Sequence, residues 1–165
     1  MKSLYRKVHS HFRLNVNAYT RKELKEVAYS YIKEGESYEA EIGEFLLDWL
    51  DDGPTLEVHT SGSTGKPKRI TLQKQHMVNS AIATGDFFGL QAGDSALLCL
   101  PASYIAGKMM LVRAIVLGLE LDCVPPSSKP LDGVVKSYDF GAMVPLQLEN
   151  SLDDLGQIKT LIVGG

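Results

Sequence analysis

The sequence predicts an α/β protein in which N-terminal helices are followed by a mostly parallel sheet with flanking helices. Residues 20–51 carry apolar side chains at helical spacing, whereas residues 55–165 alternate strand-like segments with further helical segments. Strands that alternate with helices are typical of βαβ units, whose strands lie parallel. We therefore expect a helical N-terminal segment, 1–54, and an α/β subdomain, 55–165, in a chain of 165 residues.

Two helices are predicted in the N-terminal segment, after residues 1–19, which give no clear pattern. Thr20 is a predicted N-cap because Glu23 follows three residues later, as in a capping box, and Gly35 ends the helix. A second helix is predicted over 38–51, and the sequence Asp-Asp-Gly-Pro at 51–54 breaks it. Its apolar side chains recur on one face and are expected to be buried: Ile42, Phe45, Leu46, Trp49 and Leu50.

The α/β subdomain opens with two short strand candidates, 56–59 and 69–72, which predict a hairpin connected by residues 60–68. A helix is predicted over 74–88 and a turn at 91–94, and strands then alternate with helices. The predicted strands are 96–100, 119–124, 138–144 and 159–163, and the predicted helices are 105–117 and 146–152, with a Pro/Ser loop at 125–130.

Composition narrows the class of protein. A chain that is 44% hydrophobic and 22% charged is typical of a soluble globular protein. The net charge of −3 gives no reason to expect a nucleic-acid partner. No apolar run approaches the roughly 20 residues of a membrane-spanning helix, and no secretory signal is visible. Cys99 and Cys123 lie in apolar runs, so we expect buried thiols in a reducing, cytoplasmic compartment.

Residues 60–68, TSGSTGKPK, combine hydroxyl side chains, two glycines and two lysines without any large apolar side chain. One interpretation is a polar connection between two strands. The other is a phosphate site, because glycines let backbone N–H groups point into one concavity and lysine supplies a positive charge. The P-loop pattern G-x-x-x-x-G-K-[ST] is excluded, since Thr60 stands where its first glycine belongs and Pro67 where its hydroxyl belongs.

The same segment resembles the signature loop of the adenylate-forming superfamily, which includes the acyl- and aryl-CoA synthetases. That pattern is roughly [ST]-[ST]-G-[ST]-T-G-x-P-K, and residues 60–68 match every fixed position. The resemblance implies that the loop holds the β- and γ-phosphates of ATP, that its mobility accompanies pyrophosphate release, and that ATP, Mg²⁺ and coenzyme A are co-substrates. The implied phosphate-binding residues are Thr60, Ser61, Gly62, Ser63, Thr64, Gly65 and Lys68.

A second segment, 100–114, resembles the o-succinylbenzoate–CoA ligases of menaquinone biosynthesis, in which L-P-x-x-[HY]-I-x-G precedes an arginine-bearing helix. Tyr104 stands where many members carry histidine. Arg113 is a charge in an apolar helix, so it either has a buried partner such as a carboxylate or faces the surface. The resemblance implies an acyl-substrate pocket with Arg113 or Lys108 as its cationic anchor. Its implied residues are Tyr104, Ile105, Gly107, Arg113, Gly164 and Gly165.

The resemblance implies a two-step reaction on a small-molecule acid. The carboxylate attacks the α-phosphate of Mg·ATP, and coenzyme A then displaces AMP from the acyl-adenylate. The family's adenine, ribose and catalytic-lysine motifs are not found in the sequence, so we expect an N-terminal fragment with no catalytic residue and no metal site of its own. A ligase for a different acid, a non-catalytic nucleotide- or partner-binding module, and a homodimer stay open as alternatives.

Overall fold

A computed structural model describes residues 3–60 and 65–165, and its regular elements follow the predicted order. The helices are α1 (Arg21–Glu34), α2 (Ser37–Leu50), α3 (Lys74–Phe88), α4 (Ile105–Leu117) and α5 (Pro145–Glu149). The strands are β1 (Arg13–Leu14), β2 (Thr55–Thr60), β3 (Lys68–Gln73), β4 (Ser95–Leu98), β5 (Glu120–Cys123), β6 (Tyr138–Met143) and β7 (Ile158–Val163). Short 3₁₀ turns cover Leu4–Arg6 and Leu152–Gln157.

Five of the strands form one parallel sheet in the order β1-β5-β4-β6-β7, which confirms the predicted fold class. The other two strands, β2 and β3, form an antiparallel hairpin of six residue pairs, from Thr55 opposite Gln73 to Thr60 opposite Lys68. The predicted hairpin is therefore confirmed. Within the described ranges it pairs with no strand of the main sheet.

The hydrophobic core lies on both faces of the sheet. Successive residues of a strand point to opposite faces, and Leu97 and Leu98 of β4 accordingly belong to different apolar clusters. Helices α1 to α4 supply most of the larger cluster, which includes Trp49 and Phe140. The segment after β5 contributes Leu131 to the smaller cluster on the other face.

The predicted helices agree closely with the structure wherever the sequence carries a chemical start or stop signal. The Thr20 hydroxyl accepts a hydrogen bond from the Glu23 N–H at 3.2 Å, which completes the predicted capping box of α1. Helices α3 and α4 end at Gly89 and Gly118, both in the left-handed conformation that glycine adopts without strain. All five apolar side chains predicted for the α2 face are buried.

The sequence does not predict β1, which joins the N-terminal segment to the sheet. Two residues are too few for an alternation pattern, and the pairing with β5 spans most of the chain. Asn15 extends this contact, because its N–H donates to the Leu121 carbonyl at 2.9 Å and its side-chain oxygen accepts from the Cys123 N–H at 2.8 Å. The helical N-terminal segment thus also supplies a sheet edge, and the division at residue 54 stays a prediction.

Two predicted element ends are wrong by a few residues. The strand predicted over 96–100 ends at Leu98, because the Cys99 carbonyl accepts a hydrogen bond from the Gln147 side chain instead of from a neighbouring strand. The helix predicted over 146–152 ends after Glu149, since Ser151 has a non-helical backbone with φ −115 and ψ 8. None of the helices in the described ranges has the length and apolarity to cross a membrane.

Candidate functional site

The hairpin carries the described part of the predicted phosphate loop. Thr60 and Lys68 form its last pair, and the Thr60 hydroxyl donates to the Lys68 carbonyl at 3.4 Å. Gly65 has φ +87, a left-handed backbone that favours glycine, and nothing would contact a Cβ there. Lys66 and Lys68 are exposed and, among the described residues, form no ion pair. Two lysine charges are thus available to an anion beside Gly65.

The other predicted phosphate-binding residues, Ser61, Gly62, Ser63 and Thr64, lie outside the described residues. Their assigned role stays a prediction from the motif. The described neighbours of this segment, Thr60, Gly65 and Lys68, agree in placement with a loop at the free end of a hairpin.

The second predicted region forms a cavity at the carboxyl edge of the parallel sheet. The chain leaves β4 through α4 to β5 on one side and returns to β6 on the other side of β4. Ligands of open α/β sheets bind at such a reversal, beyond the strand ends. A cavity of about 150 Å³ lies there, and Gly164 and Arg113 line it together with apolar side chains that include Leu100, Ile105, Met109, Met143, Val144 and Ile162.

Arg113 is the charged side chain of this cavity, and it is half-buried. Its Nε is buried without a hydrogen-bond partner among the described residues, and one terminal nitrogen lies 3.7 Å from the Met110 sulfur. No described carboxylate forms an ion pair with it. Burial lowers the pKa of the guanidinium from its ordinary value. A cation held in an apolar cavity without a counter-charge is suited to binding an anion.

Lys108, the alternative anchor, is committed elsewhere. Its ammonium group donates to the carbonyls of Ala102 at 2.6 Å and Ser103 at 3.0 Å, and it lies 5.9 Å from the centre of the Phe45 ring. The side chain is buried, and burial lowers its pKa. Lys108 therefore fastens the segment before α4 to the body of the protein, and the geometry favours Arg113 as the anchor.

The remaining predicted pocket residues divide between three positions. Tyr104 lies outside the cavity in an adjoining, more open groove of about 370 Å³, which shares Leu100 and Val144 with the cavity. Gly107 packs against the chain, because a Cβ on it would overlap the Pro101 carbonyl. Gly165, with φ +133, lies beside Val144. The structure thus brings Ile105, Arg113 and Gly164 into one cavity, with Tyr104 in the adjoining groove.

Gln147 is a site residue that the sequence reasoning missed. It is 4% exposed, and its amide nitrogen donates to the carbonyls of Cys99 at 3.0 Å and Ser127 at 2.9 Å. Its side-chain oxygen accepts from the Val144 N–H at 3.2 Å. These bonds join the loops that follow β4, β5 and β6, where the cavity and the groove meet. Gln147 is the third residue of α5, a common N-terminal capping position, but the sequence predicts a helix that begins at 146, which places Gln147 one position too early.

Thiol and metal chemistry have little support in the described residues. Burial raises the pKa of the Cys99 thiol to about 12 and also raises that of Cys123. Both thiols are unpaired, and neither is poised as a nucleophile. Within residues 3–60 and 65–165, no group of three or more His, Cys, Asp or Glu side chains is arranged to hold a metal ion.

Comparison with known proteins adds a family match and several relatives. Residues 20–156 match the family model described as AMP-binding enzyme. A 2-succinylbenzoate–CoA ligase of Bacillus cereus is 30% identical over 104 residues, which are 63% of this chain and 21% of that protein. The chain therefore spans about a fifth of the length of the curated relatives it matches.

Solved structures extend the comparison to the fold. An acyl-CoA synthetase (AMP-forming)/AMP-acid ligase II-like protein from Dyadobacter fermentans is 38% identical with a TM-score of 0.74, over 86% of this chain and 42% of that one. The o-succinylbenzoate CoA synthetase of Bacillus subtilis, in complex with its acyl-adenylate intermediate, has a TM-score of 0.59 at 22% identity over 66% of this chain and 30% of that one. The second likeness is one of fold alone.

Proposed function

The chain belongs to the AMP-binding enzyme family. We propose that it forms the part of an ATP-dependent acid–CoA ligase that binds the phosphates of ATP and the acid substrate. In the first step, an oxygen of the substrate carboxylate bonds to the α-phosphorus of Mg·ATP, and pyrophosphate leaves. In the second, the thiolate of coenzyme A bonds to the acyl carbon, and AMP leaves. Mg²⁺ is expected to arrive bound to ATP, since the described residues offer no metal cluster of their own.

The hairpin residues would hold the departing pyrophosphate. Lys66 and Lys68 are exposed beside Gly65, whose backbone has the freedom that a close approach to phosphate requires. Their positive charges would stabilise the negative charge that develops on the leaving group. This role is positioning and electrostatic, and none of these residues would form a covalent bond to the substrate.

The observation that carries the proposal is that Arg113, in an apolar cavity at the sheet's reversal point, pairs with no carboxylate of residues 3–60 and 65–165. An acid with a second carboxylate would bind one carboxylate to Arg113 and lay its apolar part against Met109, Val144 and Ile162. We propose o-succinylbenzoate as that acid, since curated relatives that share 30% identity carry this activity in their names. The unpaired thiols of Cys99 and Cys123 support a cytoplasmic location.

Calorimetric titration of the 165-residue chain with o-succinylbenzoate tests the acid site. Arg113→Met should weaken binding at least tenfold, because a hydrogen bond to a charged group contributes about 1.5–3 kcal/mol. Pyrophosphate binding should stay unchanged in this variant. Lys68→Met should instead weaken pyrophosphate binding and leave o-succinylbenzoate binding unchanged. Arg69→Met, which removes an exposed arginine charge on β3, is the matched control for acid binding.

Equal acid affinity in Arg113→Met and the wild type would contradict the proposed anchor. If another aryl or acyl acid binds and o-succinylbenzoate does not, the assignment as an acid–CoA ligase is retained and the assigned substrate is wrong. Binding of Mg·ATP without binding of any acid would instead favour a nucleotide-binding module.

A further inference from the structure

The hairpin that carries the phosphate loop packs on the body of the protein through β2. Within the described ranges, β2 pairs with β3 and with no strand of the five-stranded sheet. Leu56 and Val58 pack into the larger apolar cluster, whereas residues 68–71 of β3 are exposed. Hydrogen bonds across six pairs keep the two strands together, but they do not set the angle at which the hairpin leaves the core.

An ion pair between a buried ammonium and an exposed carboxylate lies where both strands of the hairpin meet the core. Lys74 follows directly on β3, and its side chain is 0% exposed. Its ammonium group donates to the Asp51 carboxylate at 3.0 Å and to the Asp51 carbonyl at 3.1 Å, and it lies 5.9 Å from the centre of the Tyr5 ring. The Lys74 N–H donates to the Pro54 carbonyl at 2.8 Å, directly before β2. Lys74 therefore connects the start of β2 with the end of β3 at the base of the hairpin.

Asp51 completes this arrangement from the end of α2. The same carboxylate oxygen that accepts from Lys74 also accepts from the Gly53 N–H at 2.6 Å, so the turn that leads into β2 is fixed to the same point. The hydrogen bond from Lys74 keeps the pKa of Asp51 below its ordinary value. A buried ammonium is retained only where its charge and hydrogen bonds are satisfied, and the carboxylate and carbonyl oxygens of Asp51 provide this for Lys74.

Two other cations bind the end of α2 without contacting the hairpin. Arg21 donates to the Leu50 carbonyl and lies 3.3 Å from the Asp52 carboxylate, and Arg6 donates to the Asp52 carbonyl at 3.0 Å. Both link the N-terminal segment to α2. Because Lys74 alone of the three continues into the hairpin, its effect on the hairpin can be separated from its effect on the helix end.

We propose that Lys74 and Asp51 form a positioning pair that fixes the angle of the β2–β3 hairpin, and with it the placement of Thr60 and Lys68 relative to the cavity of Arg113. Six pairs at about 3.3 Å per residue put the last pair roughly 17 Å from the base. Leu56 and Val58 hold the β2 side against the core, so the pair acts together with this packing, and its effect is expected to be largest at the exposed end of the hairpin that carries Lys68. The effect on ligands rests on the proposed function.

Pyrophosphate and o-succinylbenzoate titrations of the full chain test the ligand consequence. Lys74→Met, which keeps the side-chain length and removes the charge, should weaken pyrophosphate binding about fivefold or more and leave acid binding unchanged. Asp51→Asn should also weaken pyrophosphate binding, by a smaller factor than Lys74→Met. Arg21→Met should lower thermal stability without changing either affinity. Unchanged pyrophosphate affinity in Lys74→Met and Asp51→Asn, or an equal loss in Arg21→Met, would overturn the proposal.

Residual dipolar couplings of backbone amides test the geometry without any ligand. In the wild type and in Arg21→Met, amides of residues 55–60 and 68–73 should fit the same alignment tensor as those of the five-stranded sheet. In Lys74→Met the couplings of the hairpin amides should no longer fit that tensor. They should also be smaller, because a hairpin of variable orientation averages them. A fit to the common tensor in Lys74→Met would refute the positioning pair, even if the chain binds no pyrophosphate and the proposed function itself fails.

Discussion

At the scale of single residues, the candidate site depends on close packing of backbone against backbone as well as on charged side chains. Gly107 belongs to the second motif, yet it does not line the cavity. It lies in the first turn of α4, where the helix passes so close to the Pro101 carbonyl that a side chain would not fit. This contact, together with the Lys108 bonds to Ala102 and Ser103, holds the segment that carries Tyr104 against the helix.

Gly107→Ala should therefore destabilise the protein by about 1–3 kcal/mol, the usual cost of forcing extra atoms into a packed site. Urea unfolding followed by circular dichroism measures this change. Gly156→Ala is the matched control, because its Cβ would meet open space at an ordinary backbone angle. A Gly107→Ala variant as stable as Gly156→Ala would show that the helix has room to shift.

The charged residues could be found in the sequence, but their partners could not. Arg113 is conspicuous as a charge in an apolar helix, whereas only the structure reveals that, among the described residues, its Nε has no hydrogen-bond partner and no carboxylate pairs with it. Lys74 looks like an ordinary first residue of a polar helix. Its burial depends on Asp51 and Tyr5, which are distant along the chain and are brought together by packing.

At the scale of elements, the corner between β6 and α5 shapes the cavity. Gln147 joins the ends of three strands through the Cys99, Ser127 and Val144 backbones, and Val144 lines both the cavity and the groove. The position of Val144 between the cavity and the groove therefore depends on the buried amide of Gln147.

Gln147→Leu should cost about 1–3 kcal/mol, because it leaves buried backbone groups without partners. It should also weaken o-succinylbenzoate binding and leave pyrophosphate binding unchanged, since the hairpin is not touched. Thermal unfolding and calorimetry measure the two effects. Gln75→Leu, which removes an exposed hydrogen bond to Asn79 on α3, is the control and should change little. Wild-type stability and acid affinity in Gln147→Leu would refute the role of the corner.

Prediction at this scale succeeds where an element carries its own boundary signals. Helices α3 and α4 match their predicted ranges because Gly89 and Gly118 end them, and α1 matches because Thr20 caps it. Strand β1 escapes prediction because its pairing with β5 is formed by residues far apart in the chain. The strand 96–100 is shortened by Gln147, a side chain that no local pattern connects with Cys99.

At the scale of the whole molecule, the two proposed ligand-binding regions lie on different substructures. The acid cavity is built on the parallel sheet at its reversal point, and the phosphate loop is carried by a hairpin outside that sheet. The nine-residue motif indicated the family, and the helix after β4 indicated the pocket. The relative placement of the two regions required the fold, because it depends on how the hairpin base is fixed to α2.

Mapping of backbone amide chemical shifts during separate titrations with Mg·ATP and o-succinylbenzoate tests this account most directly. The account predicts that Mg·ATP shifts the amides of Thr60, Gly65 and Lys68, and that the acid shifts those of Ile105, Ala106 and Gly164 in the wild type but not in Arg113→Met. Absence of shifts for both ligands, or shifts of both on surfaces remote from the hairpin and the cavity, would contradict it.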